Sequence, residues 1–502
     1  MFQKVLIANR GEIAVRITKT LQEMGIRVVC IYSDADEKSL HVEYADEAYP
    51  LCGNSPKETY LNIEKIIDIA RGTGVDGIHP GYGFLSENSK FAQACLDANI
   101  TFIGPSPSVI KSMGDKILAK KAMSEVNVPV IPGWSGDITN IEELKNAASK
   151  IGYPVLIKAR AGGGGKGMRV VQSSSELEYA IESASREANN AFGDNRVFLE
   201  KYIVNPRHIE FQIFGDNHGN VIHLFERECS IQRRHQKIIE ESPSTALTPE
   251  LRKKMGEAAV RAGKAIGYVN AGTVEFILDK DKNFYFLEVN TRLQVEHPVT
   301  ESIIHGDLVK AQILVAMGKK LTLIQSDIEQ DGHAIECRIY AEDPKNNFLP
   351  STGVLEVYRE PNGPGIRVDS GVKEGSLVSV HYDPMLAKLI TYSKSRNAAI
   401  EKMLWALNHY QILGVTTNVS FLYDVINHSA FRSGDLDTHF LEKFDVHDSV
   451  KVRESKDLAC AISALLVNNH NGVVKDKEIV NGKDAACTVS NPWSQMGSWR
   501  MI

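Results

Sequence analysis

Two glutamates placed to face each other are the strongest chemical signal in this chain. The stretch TVEFILDKDKNFYFLEVN (273–290) reads as two strands on either side of the turn-forming KDKN, which predicts a β-hairpin. If Asp279 pairs with Phe284 across this turn, Glu275 lies directly opposite Glu288. Two carboxylates about 4 Å apart repel by about 4 kcal/mol at an effective dielectric of about 20. The pair therefore indicates a divalent cation bound between the two side chains.

The alternation of the second strand continues past the hairpin. If the chain stays extended, one face carries amide, guanidinium and carboxylate groups in the order Asn290, Arg292, Gln294 and Glu296. The other face should be buried, and it consists of Tyr285, Leu287 and Val289. A solvated edge strand can also alternate in this way, but opposed carboxylates would destabilise it. The segment therefore predicts a metal and anion site.

Length and composition exclude several classes of protein. A chain of 502 residues has room for about three to four domains. Its net charge of −6 argues against a general nucleic-acid binder. The seven cysteines contain no CxxC pair, which favours a reducing compartment and argues against a zinc site. No apolar run approaches the length of about 18 residues that a membrane helix needs, so we expect a cytoplasmic protein without a membrane span.

The first region reads as alternating strands and helices. KVLIAN predicts a buried strand, and an apolar helical stripe runs from Ile13 to Met24. Continued alternation predicts an open parallel sheet up to about residue 114. The loop HPGYGFLSEN (79–88), with an exposed Tyr82, follows a strand, where the ligand-facing loops of such sheets lie. A plain surface turn is the alternative.

A glycine-rich stretch is the centre of the second region, residues 115–330. PVLIKARAGGGGKGMRVVQS contains GxGxxG at 162–167, but a strand follows where a dinucleotide site needs a helix. A strand, a glycine loop and a second strand predict a flap whose backbone N–H groups close over phosphates, with Lys166 at the tip and Lys158 beneath. A solvent loop without function is the alternative, because consecutive glycines are costly to order.

Basic residues mark two further positions. Positive charge is concentrated in one short stretch of an acidic protein, which predicts a phosphate or another anionic substrate at Arg233, Arg234, His235 and Lys237. The third region, from residue 331, reads as a mixed and mainly antiparallel domain with helices near 397–409 and 417–427. Its Arg338 stands among apolar neighbours, so burial requires either a ligand or a structural ion pair with a glutamate.

Five motifs together resemble one known family. ANRGEIAVRI, HPGYGFLSEN, GGGGKGM, SIQRRHQK and EVNTRLQVEHPVTE are similar to the biotin carboxylase component of biotin-dependent carboxylases, a branch of the ATP-grasp enzymes, over residues 1–445. The resemblance implies an α/β and α+β protein with a Rossmann-like open parallel sheet (1–114). An ATP-grasp domain (115–330, with a glycine-rich lid at about 131–203) and a C-terminal mixed antiparallel domain (331–445) follow.

The resemblance also implies a reaction and its cofactors. ATP, bound with Mg²⁺ or Mn²⁺, phosphorylates bicarbonate to carboxyphosphate, and biotin attacks the CO2 that carboxyphosphate releases. The matching metal ligands are Glu275 and Glu288, with Asn290 beside them. The matching nucleotide-binding residues are Lys116, Lys158, Gly162, Gly163, Gly164, Gly165, Lys166, Gly167, Glu200, Lys201, Ile203, His208, Gln232 and His235.

The bicarbonate and biotin sites follow from the same resemblance. The matching bicarbonate ligands are Lys237, Arg292, Gln294 and the backbone of Val295. Glu296 matches the general base that removes the bicarbonate proton, and Arg338 matches the cation that stabilises the biotin enolate. Tyr82 matches a residue that lines the biotin pocket. Lys237, Arg292, Glu296 and Arg338 are therefore the predicted catalytic residues.

The last part of the chain is relevant to which partner proteins we expect. No sequence of the Ala-Met-Lys-Met type surrounds any lysine, so we expect the biotin on a separate carrier protein and a separate carboxyltransferase subunit. The tail, 446–502, resembles the connecting region of acyl-CoA carboxylase α subunits and is hypothesised to dock on the carboxyltransferase; an unstructured terminus is the alternative.

The resemblance favours the biotin carboxylase subunit of an acetyl- or propionyl-CoA carboxylase and, as usual in the family, a homodimer. A subunit serving pyruvate or another 2-oxoacid is the close alternative. A biotin-independent ATP-grasp ligase or an inactive scaffold subunit is more distant.

Overall fold

The first sheet of the molecule is parallel and five-stranded, in the order β3-β2-β1-β4-β5. The computed structural model describes residues 1–136, 140–160 and 168–443. The sheet and its helices are β1 (Lys4–Ile7), α1 (Gly11–Glu23), β2 (Arg27–Tyr32), α2 (Leu40–Tyr44), β3 (Glu47–Pro50), α3 (Ile63–Thr73), β4 (Gly77–His79), α4 (Ser89–Asp97), β5 (Thr101–Phe102) and α5 (Pro107–Met113). The strand order reverses beside β1, as in a Rossmann-like sheet. The predicted parallel sheet is confirmed.

Burial on both faces explains why the strands of this sheet are continuous apolar runs. Val5 and Ile7 of β1 pack on one side with the α1 stripe, which consists of Ile13, Ile17 and Leu21. Leu6 packs on the other side with residues of α3 and α4. A parallel sheet covered by helices on both faces has no solvated side, so its strands need not alternate. The loop 79–88 leaves β4 at the carboxyl edge of this sheet.

A smaller antiparallel sheet follows, in the order β6-β9-β7-β8. This part of the chain contains α6 (Lys116–Glu125), β6 (Gly133–Trp134), α7 (Ile141–Ile151), β7 (Val155–Ala159), β8 (Arg169–Val171), α8 (Ser174–Phe192) and β9 (Val197–Lys201). β7 and β8 pair with Val155 opposite Val171, which confirms the predicted strands on either side of the glycine loop. The loop itself, Gly162 to Gly167 with Lys166, lies outside the described residues.

Longer strands come next in the chain. They and their helices are β10 (Arg207–Gly215), β11 (Val221–Arg233), β12 (Gln236–Ser242), α9 (Pro249–Ala265), β13 (Asn270–Leu278), β14 (Phe284–Asn290), α10 (His297–Ile304), α11 (Leu308–Ala316) and β15 (His333–Tyr340). The remaining elements are β16 (Glu342–Asp343), β17 (Leu349–Pro350), β18 (Gly353–Val354), β19 (Val357–Arg359), β20 (Ile366–Ser370), β21 (Leu377–Val378), β22 (Met385–Ser393), α12 (Arg396–His409), β23 (Gln411–Leu413), α13 (Val419–Asn427) and α14 (Ser429–Ser433).

One eight-stranded antiparallel sheet, in the order β14-β13-β10-β11-β12-β15-β22-β20, joins these regions. Within it, β12 pairs with β15, and Ile239 lies opposite Cys337. The sheet therefore continues across residue 330, where the sequence predicts a change of domain. The predicted domain limits at residues 114, 330 and 445 stay predictions, and the two predicted regions share this sheet.

The 273–290 hairpin forms with a register that differs from the predicted one. Leu278, not Asp279, pairs with Phe284, so the loop is longer by one residue than predicted. A β-bulge then adds an extra residue, Leu287, to the second strand. The two shifts cancel, and Glu275 lies opposite Glu288 as predicted.

The bulge also exchanges the two faces of β14. Phe286 is 0% exposed and Val289 is 5% exposed, whereas Tyr285 and Leu287 are only half-buried. The prediction that Tyr285, Leu287 and Val289 share one buried face was therefore wrong for the first two. One additional residue in a strand shifts the following side chains to the other face. Within the described ranges, no helix is both long and apolar enough to cross a membrane.

We expect Phe286→Ala to lower the free energy of unfolding by about 3 to 5 kcal/mol, because it empties a buried site in the core. The matched change Tyr285→Ala removes a half-buried ring from the neighbouring position and should cost less than half as much. Urea denaturation of the two variants measures the difference. A larger loss for Tyr285→Ala would contradict the bulged register.

Candidate active site

The opposed glutamates of β13 and β14 lie in a buried charged network. Glu275 Oε1 is 2.8 Å from Lys237 Nζ, and its Oε2 is 2.8 Å from His208 Nε2. Burial opposes ionisation of Glu275, but Lys237 and His208 outweigh this effect and hold its pKa below the usual value. Burial and the charge of Glu275 together raise the pKa of Glu288. The predicted repulsion between the two carboxylates is therefore present in the structure.

This pair fits a divalent cation. Hard cations such as Mg²⁺ prefer oxygen ligands and usually take one or two carboxylates together with phosphate oxygens. Asn290 lies beside the pair, because its Nδ2 donates a hydrogen bond to Glu275 Oε1 at 2.8 Å. Its Oδ1 accepts from Arg292 Nη2 at 3.1 Å, so the amide oxygen points away from the carboxylates. Glu275 and Glu288 could therefore hold a cation between them, with Asn290 as their neighbour.

Lysines supply positive charge on one side of this pair. Lys158 lies on β7, and Lys116 lies at the start of α6. Their charges oppose, without cancelling, the rise in the pKa of Glu288 that burial and Glu275 cause. Burial, followed by the charge of Lys116, lowers the pKa of Lys158 to about 8. Lys158 Nζ is 2.9 Å from Glu200 Oε2. Two lysines facing a pair of carboxylates form a place where a phosphate group with a bound metal ion could lie.

A third lysine was not identified from the sequence. Lys120 contacts Glu200 and lies over the ring of Phe198 at 5.3 Å. Burial, followed by the charges of Lys158 and Lys116, lowers its pKa to about 6. The signal that could have found it is its spacing from Lys116, because residues i and i+4 share one face of a helix.

The residues that match nucleotide-binding positions are only partly brought together. Gln232 Nε2 lies 2.7 Å from His208 Nδ1, so both belong to the network around Glu275. Glu200 is buried between lysines, and Ile203 is half-buried. Lys201 instead donates to the carbonyls of Gly152 and Tyr153, at 2.8 and 3.1 Å, so its side chain points toward the end of α7.

The basic side chains of residues 233–237 point in different directions. Arg233 Nη1 is 2.9 Å from Glu342 Oε2, away from the carboxylate pair. Arg234 and His235 are exposed in the turn between β11 and β12, where both have positive φ. Only Lys237 reaches the centre of the site, since the tight turn points neighbouring side chains in different directions. The role of this stretch in binding an anionic substrate stays a prediction.

The segment after β14 brings its polar side chains together without being a strand. β14 ends at Asn290, and α10 begins at His297, so the chain does not stay extended as far as Glu296. Arg292 Nη1 donates to Gln294 Oε1 at 2.7 Å, and Gln294 Nε2 donates to Glu275 Oε1 at 3.1 Å. An irregular turn therefore aims these side chains at the carboxylate pair.

Arg292 is also held from the first sheet. Its Nε donates to Glu87 Oε2 at 2.9 Å, and Glu87 Oε1 accepts from the backbone N–H of Thr291 at 2.9 Å. Glu87 belongs to the loop 79–88, which the sequence predicts as ligand-facing. The loop thus fixes the orientation of a guanidinium that can hold a planar anion in two hydrogen bonds.

Glu296 lies between two cations. Its Oε1 is 2.8 Å from Lys237 Nζ, and its Oε2 is 3.0 Å from Arg338 Nη2. Glu296 is 0% exposed, and burial opposes its ionisation, yet Lys237 and Arg338 hold its pKa well below the usual value. An ionised carboxylate in this position can accept a proton from a substrate held by the same cations.

Of the two alternatives that the sequence left open for Arg338, the structure shows the ion pair, and a ligand stays a prediction. Arg338 forms an ion pair with a buried glutamate, since its Nη2 is 2.6 Å from Glu240 Oε1. It also reaches Glu296, which lies in the site. Burial and the neighbouring Glu296 raise the pKa of Glu240 to about 7, although Arg338 opposes this rise.

Glu210 is a further buried carboxylate that the sequence did not reveal. Lys237 Nζ is 2.5 Å from its Oε2, and the buried Arg227 donates from Nε to its Oε1 at 2.6 Å. Glu210 pairs directly with Glu275 across the sheet. Glu210 lies in a strand whose alternation could be read from the sequence. Only the strand order shows that it is paired with Glu275.

Tyr82 is half-buried and not exposed as predicted. Its hydroxyl is buried and has no hydrogen-bond partner among the described residues. Asn9 Nδ2 donates to the carbonyls of Tyr82 and Pro80, both at 2.7 Å, and so fixes the start of the loop. The carbonyl of Val295 accepts from Lys388 Nζ at 2.9 Å.

Family models match nearly all of the described part of the chain. The N-terminal domain of biotin carboxylase matches residues 1–110, and the C-terminal domain of biotin carboxylase matches 336–443. Between them, the ATP binding domain of the carbamoyl-phosphate synthase L chain matches residues 115–324.

Two curated relatives cover most of this chain. Biotin carboxylase 1 of Bacillus subtilis is 52% identical over 450 residues, which are 89% of this chain and 100% of that protein. The α subunit of mitochondrial methylcrotonoyl-CoA carboxylase of Oryza sativa is 55% identical over 444 residues, 88% of this chain. The match covers 60% of the rice protein, so the chain spans less than two thirds of that relative.

A solved structure agrees with these matches. The biotin carboxylase domain dimer of 2-oxoglutarate carboxylase from Hydrogenobacter thermophilus was crystallised with MgADP, ADP and bicarbonate. It superposes with a TM-score of 0.85 at 50% identity, covering 88% of this chain and 98% of that one. Identity at this level over a whole biotin carboxylase, together with the shared fold, leaves one assignment. The chain belongs to the biotin carboxylase family of ATP-dependent ligases.

Proposed function

We propose that this chain carboxylates biotin on a separate carrier protein, using ATP and bicarbonate and passing through carboxyphosphate. The observation that carries the proposal is the position of Glu296 between Lys237 and Arg338, in contact with the network of the opposed glutamates. A proton acceptor, two cations and a metal-binding pair within one buried network meet the needs of this reaction.

The first step needs charge neutralisation more than covalent participation by the protein. Lys116 and Lys158 would contact the phosphates of ATP, and Glu275 and Glu288 would hold the Mg²⁺ or Mn²⁺ ion. The bound ion supplies further neutralisation of the phosphate charge. The glycine loop is proposed to cover the phosphates, which would keep water from carboxyphosphate.

Bicarbonate must lose a proton before its oxygen attacks the γ-phosphate. Arg292 presents a guanidinium that can hold the planar anion, and Lys237 lies on the other side of Glu296 from Arg338. Glu296 would accept the proton, since it is ionised and lies within hydrogen-bond distance of both cations. The carboxyphosphate formed then breaks down to CO2 and phosphate.

Biotin carboxylation would use Arg338, which contacts the Oε2 end of the Glu296 carboxylate. The phosphate released from carboxyphosphate would accept the N1 proton of biotin. The negative charge would then be shared with the ureido oxygen, and N1 would attack CO2. Arg338 is the cation that would stabilise that oxygen. Tyr82, whose buried hydroxyl has no partner among the described residues, would line the pocket.

The final acceptor is proposed to be an acyl-CoA, because the rice relative is named as a methylcrotonoyl-CoA carboxylase subunit. Methylcrotonoyl-CoA therefore joins acetyl-CoA and propionyl-CoA as a candidate. A 2-oxoacid acceptor, such as pyruvate, is the second candidate, favoured by the similarity to a 2-oxoglutarate carboxylase domain.

We also propose a homodimer, since that domain was solved as a dimer.

The partner proposal is tested by capturing the full chain from native extract. A carboxyltransferase and a small biotinylated protein should co-purify, and the identity of the carboxyltransferase distinguishes an acyl-CoA acceptor from a 2-oxoacid acceptor.

A chain lacking 446–502, which lies outside the described residues, tests the hypothesis that this tail docks on the carboxyltransferase. Fractionation of the same cells tests cytoplasmic location against the mitochondrial location named for the rice relative.

We expect Glu296→Gln to lower bicarbonate-dependent ATP cleavage by about 100- to 10,000-fold, the usual loss when a general base is removed. ATP binding, measured by calorimetry, should persist because the ion-pair partners of Glu296 are Lys237 and Arg338, not the proposed phosphate ligands Lys116 and Lys158. The exposed Glu257→Gln serves as the control and should retain full activity. Normal turnover by Glu296→Gln would refute the role of the base.

Arg338→Gln should lower the biotin-dependent rate by about 100-fold, because it removes a cation from the place where charge develops. The KM for ATP should stay within about twofold. Since this change also leaves Glu240 buried without its partner, Arg338→Gln is compared with the double variant Arg338→Gln/Glu240→Gln. Recovery of the rate in the double variant would show that Arg338 is only structural.

Glu288→Lys should abolish ATP cleavage and its dependence on Mg²⁺, because an ammonium group would occupy the place of the cation. Titration of ATP binding with MgCl2 measures the effect. In the native chain, Mg²⁺ should strengthen ATP binding, whereas in Glu288→Lys it should have no influence. An unchanged Mg²⁺ response would contradict the assignment of the glutamate pair.

A further inference from the structure

Lys388 is a buried lysine next to the site, and the proposed reaction has not used it. It lies on β22, directly opposite Arg338 on β15 and Asp369 on β20, so the three side chains share one face of the sheet. Lys388 is 0% exposed. An ammonium group removed from water in this way is stable only when other groups replace its hydration.

Three groups from different parts of the chain surround the ammonium. Lys388 Nζ is 2.9 Å from the carbonyl oxygen of Val295, 3.3 Å from Glu12 Oε2 and 3.8 Å from Asp369 Oδ2. It also lies 5.8 Å from the centre of the Tyr82 ring. The shortest of these contacts is the hydrogen bond to Val295, although two carboxylates are available.

The backbone at Val295 controls the position of two residues of the site. Gln294 precedes it and donates to Glu275, and Glu296 follows it. The segment 291–296 is neither helix nor strand, so the regular backbone hydrogen bonds of such elements do not hold it in place. Its beginning is fixed by Glu87, which accepts from the N–H of Thr291. Lys388 supplies the corresponding attachment near its end.

The strength of this attachment is sufficient for positioning. A hydrogen bond to a charged group contributes about 1.5 to 3 kcal/mol, more than one between neutral groups. Lys388 itself is fixed by the sheet, because β22 is paired on both sides. The same sheet also carries Arg338, so the cation that contacts Glu296 and the lysine that holds its neighbour form a cross-strand pair.

We propose that Lys388 is a positioning residue of the carboxylation site, holding the carbonyl of Val295 so that Gln294 and Glu296 keep their orientation toward bicarbonate. This inference rests on the proposed function for its consequences in catalysis. A displacement of about 1 Å at a reacting group can lower the rate by about 100-fold. Lys388 therefore influences the proton transfer without touching the substrate.

The principal test is Lys388→Met, which keeps the length of the side chain and removes the donor. We expect kcat for bicarbonate-dependent ATP cleavage to fall by about 10- to 100-fold and the KM for bicarbonate to rise. The KM for ATP should change by less than about twofold, since Lys116 and Lys158, the proposed phosphate ligands, are unchanged. The exposed Lys394→Met, just beyond the same strand, is the matched control and should behave as the native chain.

A second variant separates positioning from charge neutralisation. If Lys388 serves only to neutralise the buried Glu12, the double variant Glu12→Gln/Lys388→Met should recover native kinetics. If it holds Val295, the double variant should keep the raised KM for bicarbonate. Should Lys388→Met fail to fold, the double variant alone carries the test, because it no longer contains the uncompensated Glu12.

Hydrogen exchange gives a readout that does not depend on turnover. Backbone amides of 291–297 should exchange faster in both Lys388→Met variants than in the native chain or in Lys394→Met. Unchanged exchange together with an unchanged KM for bicarbonate would overturn the inference while leaving the proposed function intact. Conversely, a native chain without bicarbonate-dependent ATP cleavage would refute the function, and faster exchange would still establish the role of Lys388 in holding this segment.

Discussion

Charge on one face of the eight-stranded sheet is the constraint around which the site is built. Glu210 pairs with Glu275, and Glu275 pairs with Glu288, so three carboxylates lie side by side on adjacent strands. Like charges directly opposite each other destabilise a sheet. Arg227, which pairs with Glu210 on the next strand, and Lys237, which contacts two of the three, offset part of this repulsion. The remaining imbalance lies at Glu288, facing the lysines that would meet a nucleotide.

The same sheet explains how distant parts of the sequence meet. The pairing of β12 with β15 places Arg338 beside Glu240 and within reach of Glu296. The loop 79–88 approaches from the parallel sheet and holds Arg292 through Glu87. Residues from all three sequence regions thus contact one segment, 291–296, whose irregular backbone lets its side chains turn toward a common point.

The sequence predicted the opposition of Glu275 and Glu288 because the period of a strand is local. It did so through an incorrect register, since neither the longer loop nor the bulge at Leu287 has a local signal; both depend on how β14 packs. Glu210 was missed for a related reason, because strand order is set by the whole fold. The sequence also did not show that the basic side chains at 233–237 diverge, because a tight turn separates residues that are adjacent in the chain. The roles of individual residues came from the family resemblance, and they stay predictions.

Continuity of the large sheet across residue 330 has a consequence for synthesis of the protein. While the ribosome extends the chain, β12 emerges long before β15, and its outer row of N–H and C=O groups has no strand to pair with. Unpaired strand edges invite association with other chains. Nascent polypeptides that stop near residue 330 should therefore need chaperone protection, and independent expression of the two halves should yield aggregates unless both are present during refolding.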